Sequence, residues 1–288
     1  MKKILILALF AIMLISPVRS FADMTEGDMI VTLGENLTEQ QKSGLLTEMN
    51  APNDVQIITV SNQEEHKYLG KYVASSLIGT KAISSSAITI AAPGSGISVK
   101  TKNITWVTNA MYVNALITAG VKDAKIYITA PIPVSGTAAL TGIIKAYEIS
   151  ADKTIPEDVK QAANQEMVET AKLGDSIGDK NAAALIAKIK EEIAKNKPTT
   201  DQELRAIIEK AAKDMGITLT EDQMQRLMDL FTKLKDLNIN WSQVSDQIHK
   251  AQNQVTKFLE SDQGQSFLEK LKQFFISLID AIKSLFAK

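Results

Sequence analysis

The chain has 288 residues, no cysteine and a near-balanced formal charge of −1. The missing cysteine excludes disulfides and thiolate metal sites outright. This length suffices to bury one large core or two modest ones, and the absence of a positive excess argues against nucleic acid as a partner.

Lys2 and Lys3 precede an apolar run from Ile4 to Ile15, followed by Ser16, Pro17 and Ser20-Phe21-Ala22. This is the pattern of a secretory signal peptide over residues 1–22, with cleavage expected near Ala22 and a secreted or cell-surface address. The run is too short to span a membrane comfortably. Without these residues the chain keeps 29 basic against 33 acidic side chains, a net of −4. Export without cysteine suits a Gram-positive bacterium.

Residues 23–150 read as one α+β domain. Met29–Leu33 is a short strand, and Thr38-Glu-Gln-Gln41 is a capping box that opens a helix to about Met49. Asn50-Ala-Pro-Asn-Asp54 is a turn cluster, and Val55–Val60 is the next strand. Ser61-Asn-Gln-Glu64 caps a helix carrying Tyr68, Leu69, Tyr72 and Val73. Ile83–Ala91 and Ile97–Thr101 flank Pro93-Gly-Ser-Gly96, which predicts a hairpin. A helix from about Thr108 to Ala119 then ends at Gly120. Strand, helix, turn and strand recur at Met29–Val60 and Ile97–Ala130, a weak echo that suggests two βα-type units in one sheet.

The middle of the chain organises the rest. Ala124, Ile126 and Ile128 alternate with Lys125, Tyr127 and Thr129, the period of a strand that Pro131 and Pro133 are expected to end. Ser135 fits a helix N-cap. Ala138, Leu140, Ile143, Ile144 and Tyr147 then give a helix apolar on more than one stripe, hence mostly buried, with Gly136 and Gly142 permitting close backbone approach.

From Ala151 the character changes. No strand pattern follows, and helices are predicted at about 156–173, 180–196, 200–215, 220–236, 241–259 and 265–287. Thr200-Asp-Gln-Glu203 and Thr220-Glu-Asp-Gln223 are further capping boxes. The predicted fold class is therefore α+β: a mixed α/β sheet domain followed by an all-helical region over residues 151–288. The last predicted helix, 265–287, is amphipathic. Phe267, Leu271, Phe274, Phe275, Leu278, Ile282 and Phe286 share one apolar face, with Lys270, Lys272 and Lys283 beside it. Such a face packs on its own domain, on a second copy or on a membrane surface.

Catalytic signatures are scarce. There is no nucleophile elbow, Walker loop or dinucleotide fingerprint. The two histidines, His66 and His249, lack metal-ligand spacing, so no metal and no cofactor is expected. Glu64-Glu65 and Glu191-Glu192 are adjacent pairs that diverge on a helix, and they read as solvated faces. Ser84-Ser-Ser86 lies in a strand-like run and reads as an exposed polar face, with a ligand-binding sheet face as the alternative. What remains is the stretch Ser135, Gly136 and Thr137, whose N–H groups at a helix start are able to hold a phosphate or carboxylate. A serine–lysine pair of Ser135 with Lys145 is the enzymatic alternative, a hydrolase or transferase, but the lysine lies nearly three turns along the helix.

Several segments carry a resemblance to a known family: Gly27-Asp28-x-Ile30-Val-Thr-Leu-Gly34, Glu64-Glu-His-x-Tyr-Leu-Gly70, Ala82-Ile-Ser-Ser-Ser86, Ala119-Gly-Val-Lys-Asp-Ala124, Val134-Ser-Gly-Thr-Ala-Ala-Leu-Thr-Gly142 and Ile239-x-Trp241-Ser-Gln-Val244. In these the chain resembles the YpuA-like family of exported, uncharacterised proteins of Gram-positive bacteria. The resemblance implies an exported or envelope address and brings no activity, substrate or catalytic residue. The expectation from sequence is a non-enzymatic envelope protein that binds wall polymer or peptide, or associates with itself or a membrane surface through its last helix.

Overall fold

In the computed structural model, the described residues are 25–260. Five strands form one mixed sheet: β1 (Met29–Gly34), β2 (Gln56–Val60), β3 (Ser85–Ile90), β4 (Ile97–Ile104) and β5 (Ala124–Val134), in the order β2-β1-β3-β5-β4. β1 pairs in parallel with β2, and β4 with β5, while the central β3 runs antiparallel to both of its neighbours. Each half of the expected echo is thus a strand, a helix and an adjacent parallel strand.

The intervening helices α1 (Glu39–Glu48) and α4 (Asn109–Thr118) take opposite faces of the sheet. Strand alternation dictates this. Leu45 of α1 packs with Val31, Leu33 and Ala87, whereas Met111 and Ala115 of α4 pack with Ile30, Ile88, Ile126 and Ile128. Beside α4 lies α5 (Thr137–Ser150), buried almost all round as its composition requires. A Cβ on Gly142 would come within 2.8 Å of Thr32 Oγ1 and 2.9 Å of Val60 Cγ2, so the absent side chain lets α5 lie directly on β1 and β2. Between β2 and β3 come α2 (Asn62–Leu69) and the single turn α3 (Ser75–Ile78).

Among the described residues every element after α5 is helical: α6 (Glu157–Ile177), α7 (Asp179–Asn196), α8 (Asp201–Asp214), α9 (Glu221–Asp236) and α10 (Trp241–Glu260). The α+β class is as expected. Four predicted capping boxes, at Thr38, Ser61, Thr200 and Thr220, all form with both reciprocal hydrogen bonds. The sheet core continues into this layer, since Val159, Ala163, Met167 and Val168 of α6 and Val244 and Ile248 of α10 share one cluster with β3, β5, α4 and α5. A second cluster joins α7, α8 and α9 through Leu185, Ile189, Ile208, Leu227 and Phe231.

Three expectations are corrected. The hairpin across Pro93-Gly-Ser-Gly96 does not form, because β5 lies between β3 and β4. β3 is buried and has a neighbour on both sides, so it takes the centre of the sheet and leaves no edge for β4. Secondly, β5 runs through Pro131 and Pro133. The pairing of β3 stops at Ser85 against Thr129, so beyond that point one side needs no N–H donors, and a register shift at Asn103 accommodates the prolines on the other. Asn103 sits at φ 58° and its side-chain amide donates to the Ala130 carbonyl at 2.8 Å. Thirdly, Ser84, Ser85 and Ser86 are buried, not solvated, and Ser86 Oγ meets Thr32 Oγ1 at 2.7 Å inside the sheet layer.

Candidate functional site

Four of the five strands point the same way, so β1, β2, β4 and β5 all end at one edge of the sheet, where β3 begins. In sheets of this kind ligands sit outside the carboxyl ends of the strands, where chain connections diverge. Here Val134 ends β5, and Ser135 and Gly136 carry the chain over the edge into α5. The single turn α3 and the connection from it into β3 pass in front of that edge. Between them lies a cavity of about 380 Å³, lined by Glu65, Leu77, Gly79, Lys81, Ser84, Ser135, Gly136 and Thr137 among others.

The three residues singled out from sequence therefore lie together on this cavity, but the cap differs from expectation. Gly136, not Ser135, is the N-cap, at φ 92°, and α5 has no side-chain cap. The Ser135 hydroxyl instead donates to the Leu77 carbonyl at 3.4 Å and lies 3.2 Å from Thr137 Oγ1. Gly136 is held from behind. The fully buried Tyr112 hydroxyl donates to its carbonyl, and a Cβ there would meet Tyr112 Oη at 2.5 Å as well as the Ile104 side chain. Burial pushes the Tyr112 phenol well above its usual range, so it remains a donor. The outcome is a helix start on the cavity wall, with its positive dipole end there and no side-chain cap among the described residues.

Glu65 is the residue that sequence reasoning missed. It was expected on a solvated face, yet it is 2% exposed. One carboxyl oxygen, Oε2, accepts from the Asn62 side-chain amide at 2.9 Å. The other, Oε1, has no hydrogen-bond partner among the described residues, and the side chain lines the cavity. Burial pushes its pKa up to about 7, Glu35 adds to the rise, and the bond from Asn62 opposes it. Asn62 is held in turn: its N–H donates to Glu35 Oε1 at 2.8 Å, and its amide reaches the Gly79 carbonyl at 3.4 Å. His66 Nε2 meets the same carbonyl at 3.0 Å. A signal was present in the sequence. Glu65 stands four residues before Leu69, on the inward face of α2.

The neighbouring Glu64 does behave as a partly solvated side chain. It closes the capping box at Ser61 and pairs with Lys145 at 2.7 Å. Burial alone would raise its pKa, but the bonds from Lys145 and Ser61 win and hold it below the usual value. Lys145 also donates to the Thr59 carbonyl at 3.1 Å, so it is engaged away from Ser135, and no serine–lysine pair exists. Lys81 is exposed at the cavity rim and makes no ion pair among the described residues.

Two larger hollows are of different character. One of about 840 Å³ lies between α1 and the edge strand β2. Another, of about 890 Å³, is lined mainly by apolar residues of β4, α4, α7 and α10. Neither contains a buried ionisable group without a partner. Among the described residues no cluster of His, Asp or Glu is placed to hold a metal, and no helix is long and apolar enough to cross a membrane. The apolar face from Phe267 through Leu271, Phe274, Phe275, Leu278 and Ile282 to Phe286 lies outside the described residues, as does the leader.

Residues 33–251, from the end of β1 into α10, match a family model described as Protein of unknown function (DUF1002). The uncharacterised protein YpuA of Bacillus subtilis (strain 168) is 55% identical over 289 residues, which covers 99% of this chain and 100% of that protein. No solved structure matches. The matched span includes Glu65, Lys81, Ser84 and Ser135–Thr137, so the cavity is built wholly from sequence the family model covers, and the chain belongs to this DUF1002 family, the YpuA-like proteins.

Proposed function

We propose that this is an exported, non-enzymatic binding protein that holds a small ligand by an anionic group at the start of α5. The observation that carries the reading is the cavity itself. It brings the uncapped helix start, the Ser135 and Thr137 hydroxyls and the unpaired Lys81 to one place. Backbone N–H groups at a helix N-terminus bind carboxylate or phosphate without further machinery. A volume of about 380 Å³ suits a metabolite or a short peptide better than a long polymer. The leader pattern of residues 1–22 supports export, which puts the cavity where envelope peptides and their fragments occur.

Nucleophilic chemistry has less support. Ser135 donates to a carbonyl and meets another hydroxyl, and neither takes its proton. The binding reading is tested by following the melting temperature of the full protein with acetate, inorganic phosphate and alanyl-alanine. Binding is expected for at least one of them. Ser135→Asp, which supplies its own carboxylate to the helix start, is expected to weaken it at least tenfold. If all three leave the wild-type melting temperature unmoved at saturating concentration, the reading is wrong.

A further inference from the structure

Because the cavity has two poles, its ligand can be specified further, on the assumption that it is a binding site. At one pole are the start of α5, the Ser135 and Thr137 hydroxyls and Lys81, all suited to an anion. At the other is Glu65, buried, with Oε2 satisfied by Asn62 and Oε1 left without a partner on the cavity wall. Oε1 is not sealed off: it opens onto the cavity, where a bound donor can reach it.

We infer that the cavity takes a zwitterion of the amino-acid or short-peptide class, with its carboxylate at the start of α5 and its ammonium on Glu65 Oε1. A wholly anionic ligand fits less well. Glu35 stands behind Asn62 and adds negative potential at the Glu65 pole, so a second anionic group would meet repulsion there. A wholly cationic ligand would face the helix start and Lys81. Only a molecule bearing both charges is attracted at both ends. An ammonium on Glu65 also gives Oε1 a charge-assisted hydrogen bond, which is stronger than a neutral one. No bond is made or broken in this step.

Titration calorimetry on the full protein decides it, with three probes: alanyl-alanine, N-acetyl-alanyl-alanine and alanyl-alanine amide. The measurements are made near pH 7, below the usual α-amino value of about 8, so the free amine stays charged. Wild type is expected to bind alanyl-alanine at least tenfold tighter than either blocked form. E65Q, nearly isosteric and checked by its melting curve, is expected to lose the preference for the free over the acetylated form. Equal affinity of wild type for the free and acetylated dipeptides overturns the ammonium pole and leaves the anion site standing. If the amide equals the free dipeptide while the acetylated form fails, the carboxylate pole is overturned. No binding of any probe overturns the zwitterion, and the acetate and phosphate measurements then decide whether an anion site stands. Should E65Q fold poorly, the wild-type comparison of the three probes settles the matter alone.

Discussion

At the scale of a residue, Glu65 makes a prediction that needs no ligand. Its pKa is moved from 4.5 to about 7, chiefly by burial, so between those values the folded chain holds a proton that the unfolded chain has released. Stability is then fully present below the unfolded value and is lost as pH rises through the folded one. The size of the loss is of order 3 kcal/mol. The groups around it are Glu35 beyond Asn62, Lys81 at the rim, and His66 on the same helix with its ring against the Gly79 carbonyl. Urea unfolding from about pH 5 to pH 8 should show this decline in wild type, and E65Q should remove most of it. An E65Q curve parallel to wild type would mean another group carries the dependence. The residue also shows how sequence can mislead. Adjacent glutamates suggest one solvated face, but on a helix they point about 100° apart, so one caps and pairs with Lys145 while the other turns inward with Leu69.

At the scale of an element, the joint between α4, α6 and α7 is a buried polar network. Lys190 and Glu166, each with 0% side-chain exposure, pair at 3.0 Å. Thr118 donates to the second carboxyl oxygen at 2.5 Å, and Lys190 also donates to the Asn114 carbonyl at 2.8 Å. The Asn114 amide donates to the Ala183 carbonyl at 2.8 Å. Burial pushes Glu166 up and Lys190 down, while their mutual attraction opposes both shifts. Removing one member strands a charge, so K190M should cost about 3–5 kcal/mol, whereas E166L with K190M should return to within about 1–2 kcal/mol of wild type. Denaturant unfolding of the three proteins checks this, and a K190M that costs under ~1 kcal/mol would show the pair to be incidental. Here too the spacing held a clue. Lys190 follows Ile186 by four positions on the inward stripe of α7, and Glu166 follows Ala162 in the same way on α6. Long helices with capping boxes were readable because cap and stripe are local. The hairpin and the end of β5 were not, because strand order is decided by partners far along the chain, and Pro131 is tolerated only where β3 has already stopped.

At the scale of the molecule, composition marks a change of structural class near Ala151, whereas packing crosses that point. The cluster that fills the α5 side of the sheet includes Val159, Ala163, Met167, Val168 and Ala171 of α6 and Val244 and Ile248 of α10. These cover the outer faces of α4 and α5, of which Tyr112, Leu116 and Leu140 are wholly buried. A fragment of residues 24–151 would keep all five strands but expose that apolar layer and leave the polar groups of Asn114 and Thr118 without Glu166, Lys190 and Ala183. Each fully buried Leu, Ile, Val or Met side chain is worth about 1.5–3 kcal/mol, and a domain's whole stability is only about 5–15 kcal/mol. Five of the seven side chains that α6 and α10 contribute to the cluster are Val, Met or Ile, so losing them removes about 7.5–15 kcal/mol, as much as a whole domain's stability. Such a fragment should lack a cooperative urea transition and should bind a hydrophobic dye, whereas residues 24–260 should unfold in one sharp step. A sharp, reversible transition for 24–151 alone would mean that the sheet unit stands without its helical cover. The cavity beside Ser135 would then have to be sought in that unit by itself, since every residue that lines it lies before α6.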